Sequence, residues 1–258
     1  MNGQYTDELE LNLLRNTYNE IANKFPNLKI DSFDVVKAVI EHRNYWRPTK
    51  VKTILLAESH VFTPDKEFNI ELNYPNEIEF AGLPRNYVRL VYCLGYGEEY
   101  LPKNYIDNNK RGTPQYWKLF SACLSENWEI EFYRVSKTKC PNFTVRIINK
   151  LDTLKRLKEG GIWLVDSSIV GLYNFGKTID YKNMQEILQL CWDKYIYSII
   201  HTNTPNTIIV IGKSVYKSLS SRLKVTNIRF LETPQPQARL SSIEHNNALN
   251  TYYQICNE

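Results

Sequence analysis

No apolar run in this 258-residue chain approaches the roughly 20 residues that a membrane span requires. The opening segment, MNGQYTDELELNLL, has neither a basic n-region nor an apolar h-region, so secretion is not expected. Cysteine is sparse: Cys93, Cys123, Cys140, Cys191 and Cys256 are scattered and form no CxxC pair. That argues against a zinc knuckle or an iron–sulfur cluster and suits reduced thiols in a cytoplasmic protein. The four histidines, His42, His60, His201 and His245, show no metal-ligand spacing, and His201 reads as a helix-end residue. No metal is expected. No GxGxxG follows a strand, so no dinucleotide cofactor is implied, and no cofactor of any kind is expected. VIGKS is not a phosphate-binding loop, because GxxxxGK[ST] needs a glycine where Thr207 stands. No GxSxG elbow is present, so Ser59 and Ser167 lack the turn of a hydrolase nucleophile. Strong charge of one sign is also missing: 32 basic against 28 acidic residues leave +4. That permits nucleic-acid binding without demanding it, since a local patch matters more than the sum.

What is present is ordinary globular composition, 43% hydrophobic and 23% charged, enough to bury a sizeable core. No repeat, low-complexity tract or linker divides the chain, so one domain over 1–258 is expected. Residues 1–48 form its N-terminal helical segment. There, DELELNLLRNTYNEIANKF carries Leu9, Leu11, Leu13, Leu14, Tyr18 and Ile21 near a 3.6-residue period, and Pro26 closes it. Asp31 and Ser32 are placed to cap a second helix through FDVVKAVIEHRNYW, which Pro48 stops.

Four short apolar runs follow, at 51–57, 161–166, 206–212 and 227–232. Runs apolar on both faces suit a parallel sheet covered by helices. The third and fourth are preceded by helical patterns, YKNMQEILQLCWDKYIYSIIHT and KSVYKSLSSRL. The expected fold is a three-layer α/β/α structure around a central, mostly parallel four-stranded sheet. The segment 65–150 is less regular, and its pattern assigns no strands.

Each run ends in a polar tail: ESHVFTP, DSSIVGLYN, GKS and TPQPQAR. In an open parallel sheet the carboxyl ends share one edge, where ligands bind. Glu58, Ser59 and His60 are therefore expected on the rim of a site that faces the other tails. Basic and aromatic residues also interleave in KNYIDNNKRGTPQYWK, from Lys103 to Lys118, a pattern able to track phosphates and stack bases, or simply to anchor a surface loop.

The ordered tails resemble the uracil-DNA glycosylase superfamily, over roughly residues 50–245. That family carries a first motif of the types GQDPYH, GEAPG or GINPG after its first strand. A GVLLLN-type strand and a late HPSP-type loop follow. Here ILLAESHVF is similar to the first, with Glu58 at its second position and Ser59 at its third. GIWLVD is similar to the strand, with Asp166 at the asparagine position. FLETPQPQARLS keeps both prolines of the loop, with Thr233 for histidine and Gln235 for serine.

The resemblance implies a monofunctional DNA glycosylase that removes a flipped-out base. Its partner would be DNA, no protein partner is implied, and a monomer is expected. The family's water-activating aspartate falls at Ser59 and its base-stabilising histidine at Thr233, although other branches lack one or both. Glu58, with His60 and Ser59, would orient water or stabilise the sugar cation. Asp166, Ser167, Thr233 and Gln235 would read the base. Lys110, Arg111, Lys213, Ser214, Gln237 and Arg239 would meet DNA, with stacking aromatics from FAGLPRNY or RGTPQYWK. An asparagine at 166 can donate to O4 of uracil, whereas an ionised aspartate only accepts and suits the exocyclic amine of cytosine. Unmodified cytosine would be a self-destructive target. The implied substrate is a modified cytosine, as in some bacteriophage DNA, and the implied role is phage defence. A uracil or hydroxymethyluracil repair enzyme and a catalytically silent DNA- or nucleotide-binding relative are the alternatives.

Overall fold

In the computed structural model, residues 8–75, 80–104, 106, 112–174 and 177–258 are described. Four parallel strands form the central sheet: β1 (Thr53–Ala57), β2 (Ile162–Asp166), β5 (Thr207–Ile211) and β6 (Arg229–Thr233). Every residue of β1, β2 and β5 is buried, as strands covered on both faces should be. β6 is an edge strand whose first four residues are exposed or half-buried. The sheet order is β2-β1-β5-β6, and the two short strands β3 (Tyr173–Asn174) and β4 (Lys177–Thr178) pair antiparallel outside it.

Helices cover the sheet. One group contains α1 (Glu8–Lys24), α7 (Tyr181–Cys191) and α9 (Lys213–Lys224), with α7 packed on both others and α2 (Phe33–Tyr45) packed on α1. The other is built on α4 (Pro114–Leu124), which packs against α5 (Trp128–Val135), α6 (Phe143–Gly160) and α10 (Ser242–Cys256). This is a three-layer α/β/α fold, and the sheet is parallel throughout. Among its described residues, the segment from 65 to 113 contributes one short helix, α3 (Asp65–Phe68), and isolated bridges. No helix among the described residues is long and apolar enough to cross a membrane.

Local chemistry explains several boundaries. Asn142 caps α6 by accepting from the Val145 amide at 3.0 Å, and Gly161 closes it in the left-handed region before the chain enters β2. Ser241 and Glu244 form a reciprocal capping box on α10. The helical pattern over YKNMQEILQLCWDKYIYSIIHT is interrupted: α7 passes through a π-helical turn (Trp192–Ile196) into α8 (Tyr197–Asn203). Met184, Ile187, Leu188, Cys191, Tyr195, Ile196 and Ile199 are nonetheless all buried. The expected cap of α2 is different. Ser32 occupies the N-cap position, but its hydroxyl donates to Asp65 Oδ1 at 2.6 Å and accepts from no helix amide, and Asp31 is drawn into the site described next.

Candidate functional site

Parallel register places the last residues of the strands side by side: Ala57 lies opposite Asp166, and Ile211 opposite Thr233. The chain leaves β1 for β2 on one side and later enters β5 on the other. The crossover direction thus reverses between β1 and β5, and such a switch point opens a crevice at the carboxyl edge. A cavity of about 510 Å³ lies there. That is ample for a small organic ligand.

Glu58, the residue after β1, lines it with only 5% of its surface exposed. A buried carboxylate needs donors. Three side chains supply them: the Tyr173 hydroxyl donates to Oε1, the Ser214 hydroxyl to Oε2 at 2.6 Å, and the Gln235 amide to Oε2 at 3.4 Å. They come from β3, α9 and the loop after β6. Burial and the Glu58 charge hold the Tyr173 phenol above its ordinary pKa, so it stays a neutral donor. Gly212, between β5 and α9, makes the approach of Gln235 possible. Its φ is +102°, and a Cβ there would lie 2.6 Å from Gln235 Cγ.

His60 forms a second, fully buried network. Its Nε2 lies 3.3 Å from Asp31 Oδ2, and its Nδ1 lies 3.7 Å from Asp166 Oδ2. The second distance is that of an ion pair, too long for a hydrogen bond. Burial alone would lower the His60 pKa. The two flanking carboxylates, Asp31 foremost, outweigh it and raise the value to about 9. Asp31 is anchored by the Thr63 amide at 2.8 Å and the Gly171 amide at 2.6 Å. Asp166 lines the cavity, so it presents acceptor oxygens there while its charge is balanced from behind by an imidazolium. Among the described residues, no group of three or more His, Cys, Asp or Glu side chains is arranged to hold a metal ion.

Glu58, His60, Asp166, Gln235 and Gln237 are brought together around the cavity. Ser59 lies at its wall, but its hydroxyl donates to the His60 carbonyl at 2.9 Å and accepts from the Leu172 amide at 3.1 Å. It fixes the two tails to each other and has no lone proton to offer a ligand. Ser167 is fully buried, its hydroxyl without a partner, and is not part of the lining. Thr233 is turned away: its hydroxyl pairs with the Tyr252 hydroxyl of α10 at 2.6 Å, because that buried phenol needs a partner. Ser214 holds Glu58 from α9, a role other than the expected contact with DNA. Lys213 and Arg239 are exposed outside the lining. Lys110 and Arg111 lie outside the described residues.

Of the aromatics offered for stacking, Tyr116 lines the cavity, whereas Phe80, Tyr87 and Trp117 do not. Burial first, then the charges of Asp166 and Glu58 among its neighbours, push the Tyr116 phenol well above its ordinary pKa. Asp31 and Tyr173 are additions to the expected site. Tyr173 falls within the polar tail DSSIVGLYN, so its place was signalled. Asp31 carries no such signal, since an aspartate before a helix has an ordinary explanation as a cap. Compared with protein-family models and with curated proteins, the chain matches none.

Proposed function

We propose that the protein is a DNA glycosylase that hydrolyses the N-glycosidic bond of a flipped-out modified base, a cytosine derivative, and leaves an abasic site. The observation that carries this reading is the pair of carboxylates on one cavity at the switch point of the sheet. Glu58 is held by three donors, and Asp166 faces the cavity with His60 behind it.

Their surroundings suit different tasks. A carboxylate offers about four lone-pair positions, and three on Glu58 accept protein donors. The fourth is left for a water or for the electron-poor sugar. In the reaction a water oxygen bonds to C1′, the N-glycosidic electron pair leaves with the base, and Glu58 takes up the water's proton, which then passes by way of solvent to the departed base. A rigid, buried negative group stabilises the cationic sugar more than it would in bulk water. His60 does not act on the water, since both ring nitrogens face aspartates. It is a positioning residue for Asp166. Asp166 accepts from the exocyclic amine of cytosine, and Tyr116 supplies a neutral ring and hydroxyl beside it.

The test is incubation with oligonucleotides that carry cytosine, hydroxymethylcytosine, glucosylated hydroxymethylcytosine, uracil or hydroxymethyluracil, followed by alkaline cleavage of abasic sites. Strand breaks confined to modified cytosines are expected. Breaks confined to the uracil series would make it a repair enzyme. Intact strands throughout, with DNA still bound, would make it a silent binder.

A further inference from the structure

A second cavity, of about 370 Å³, adjoins the first and takes no part in the steps above. The two share Tyr96, Gly112 and Thr113 as a common wall. That wall is thin because two glycines meet backbone to backbone: a Cβ on Gly112 would lie 2.8 Å from the Gly97 Cα.

The lining of the second cavity is one-sided in charge. Lys118 of α4, Lys137 after α5 and Lys150 of α6 reach it, and no acidic side chain is among the described residues that line it. Lys150 is buried and engaged, its Nζ 2.5 Å from Glu98 Oε1, and that carboxylate also accepts from the Arg146 guanidinium. Burial lowers the Lys150 pKa, and the charges of Arg146 and Lys137 lower it further against the pull of Glu98. Lys118 stands over the Phe132 ring, 5.4 Å from its centroid, and neither it nor Lys137 has an acidic partner among the described residues. At the common wall, the Thr113 hydroxyl is buried without a partner and makes no cap for α4. The amino end of an α-helix thus joins unpaired ammonium groups and an unused hydroxyl around a cavity whose described lining carries no acidic side chain. Such a site favours an anion.

We propose that this cavity binds a phosphodiester of the DNA strand next to the flipped nucleotide, with Lys118 and Lys137 as its counter-charges. The inference rests on the reading that the first cavity holds that nucleotide. A base inserted there carries its sugar and flanking phosphates to the rim. A cationic compartment across a two-glycine wall would receive one of them.

The test uses the full chain carrying Glu58→Gln, so that bound DNA stays intact. Its affinity for a single-stranded oligonucleotide is measured against salt concentration, then again with Lys118→Gln and Lys137→Gln added. Each phosphate contact on a single strand contributes roughly 0.7 to the slope of log K against log salt, so losing this one contact should reduce it by about 0.7. The control adds Lys155→Gln and Lys224→Gln instead. These positions lie toward the C-terminal ends of α6 and α9, at the opposite edge of the sheet. It loses the same net charge and should keep its slope. Equal slopes for both sets, or no DNA binding by any of these proteins, would overturn the subsite. The glycosylase reading fails separately, if the unmutated chain binds DNA through these lysines yet produces no abasic sites.

Discussion

His60 is the buried group whose charge is most open to experiment. In the folded chain its pKa is raised to about 9, because Asp31 and Asp166 outweigh the effect of burial. An unperturbed histidine titrates near 6.5. The folded value is the higher one, so the folded chain holds the proton more tightly. The stability this confers is complete below about pH 6.5 and is lost as pH rises to about 9. A shift of about 2.5 units, at about 1.4 kcal/mol per unit, amounts to about 3 kcal/mol. That is a large part of the 5–15 kcal/mol or so that holds a typical domain together.

His42 acts with the opposite sign. It is fully buried, and burial lowers its pKa to about 4 despite the Asn86 carbonyl 2.9 Å from Nε2. Its contribution is complete above about pH 6.5 and is lost as pH falls towards 4. Stability should therefore peak near pH 6.5. The assay is urea unfolding at intervals from pH 4 to 10 for the wild type, His60→Gln and His42→Asn. The wild type should lose about 3 kcal/mol between pH 6.5 and 9. His60→Gln should be flat up to about pH 8.5, where buried thiols such as Cys93 and Cys191, both raised by burial, begin to erode the fold. His42→Asn should lose the acid limb alone. A wild type flat from pH 6.5 to 8.5, or a His60→Gln variant with the same decline, would refute the doubly paired imidazolium.

Asp166→Asn keeps the shape of the side chain but adds an amide donor, so single-turnover excision should shift from modified cytosine towards uracil. An unmoved ratio would show that Asp166 does not read the base. Tyr173→Phe removes one of the three donors to Glu58 while leaving the ring. Excision should slow with little change in substrate KM, and an unaltered rate would remove Tyr173 from the support of the carboxylate. Gly212→Ala forces a side chain onto a backbone at φ +102° and into Gln235. It should cost about 1–3 kcal/mol in denaturant unfolding. A neutral effect would mean that the β5–α9 turn relaxes without strain.

The sheet is legible in the sequence because strands buried on both faces must be apolar throughout. The runs at 51–57, 161–166 and 206–212 enclose β1, β2 and β5. The fourth is displaced, 227–232 against Arg229–Thr233, because an edge strand with exposed residues gives a weaker apolar signal. The convergence of Glu58, Asp166 and Gln235 is legible for a related reason: parallel strands end on one edge, so polar tails meet there. What local pattern hides is long-range pairing. Asp31 lies 29 residues before His60 in the chain, and its use as a counter-ion depends on the α2 entry packing beneath the β1 tail. Nor does the apolar spacing over 181–202 reveal the π-helical turn, since one extra residue in a turn leaves the buried face almost intact. Ser59 and Thr233 are occupied by neighbours that only the folded chain brings near.

The central claim is that the Glu58 carboxylate drives release of a base from DNA. Its most direct test is mass spectrometry of free base and abasic strand, in a single turnover on hydroxymethylcytosine or glucosylated DNA, with wild type and Glu58→Gln. Base and abasic site should appear in equal amounts with the wild type. With Glu58→Gln both should appear roughly 100- to 10,000-fold more slowly, the usual contribution of a positioned acid–base group. Free base released at the same rate by both proteins, or by neither, would contradict the account.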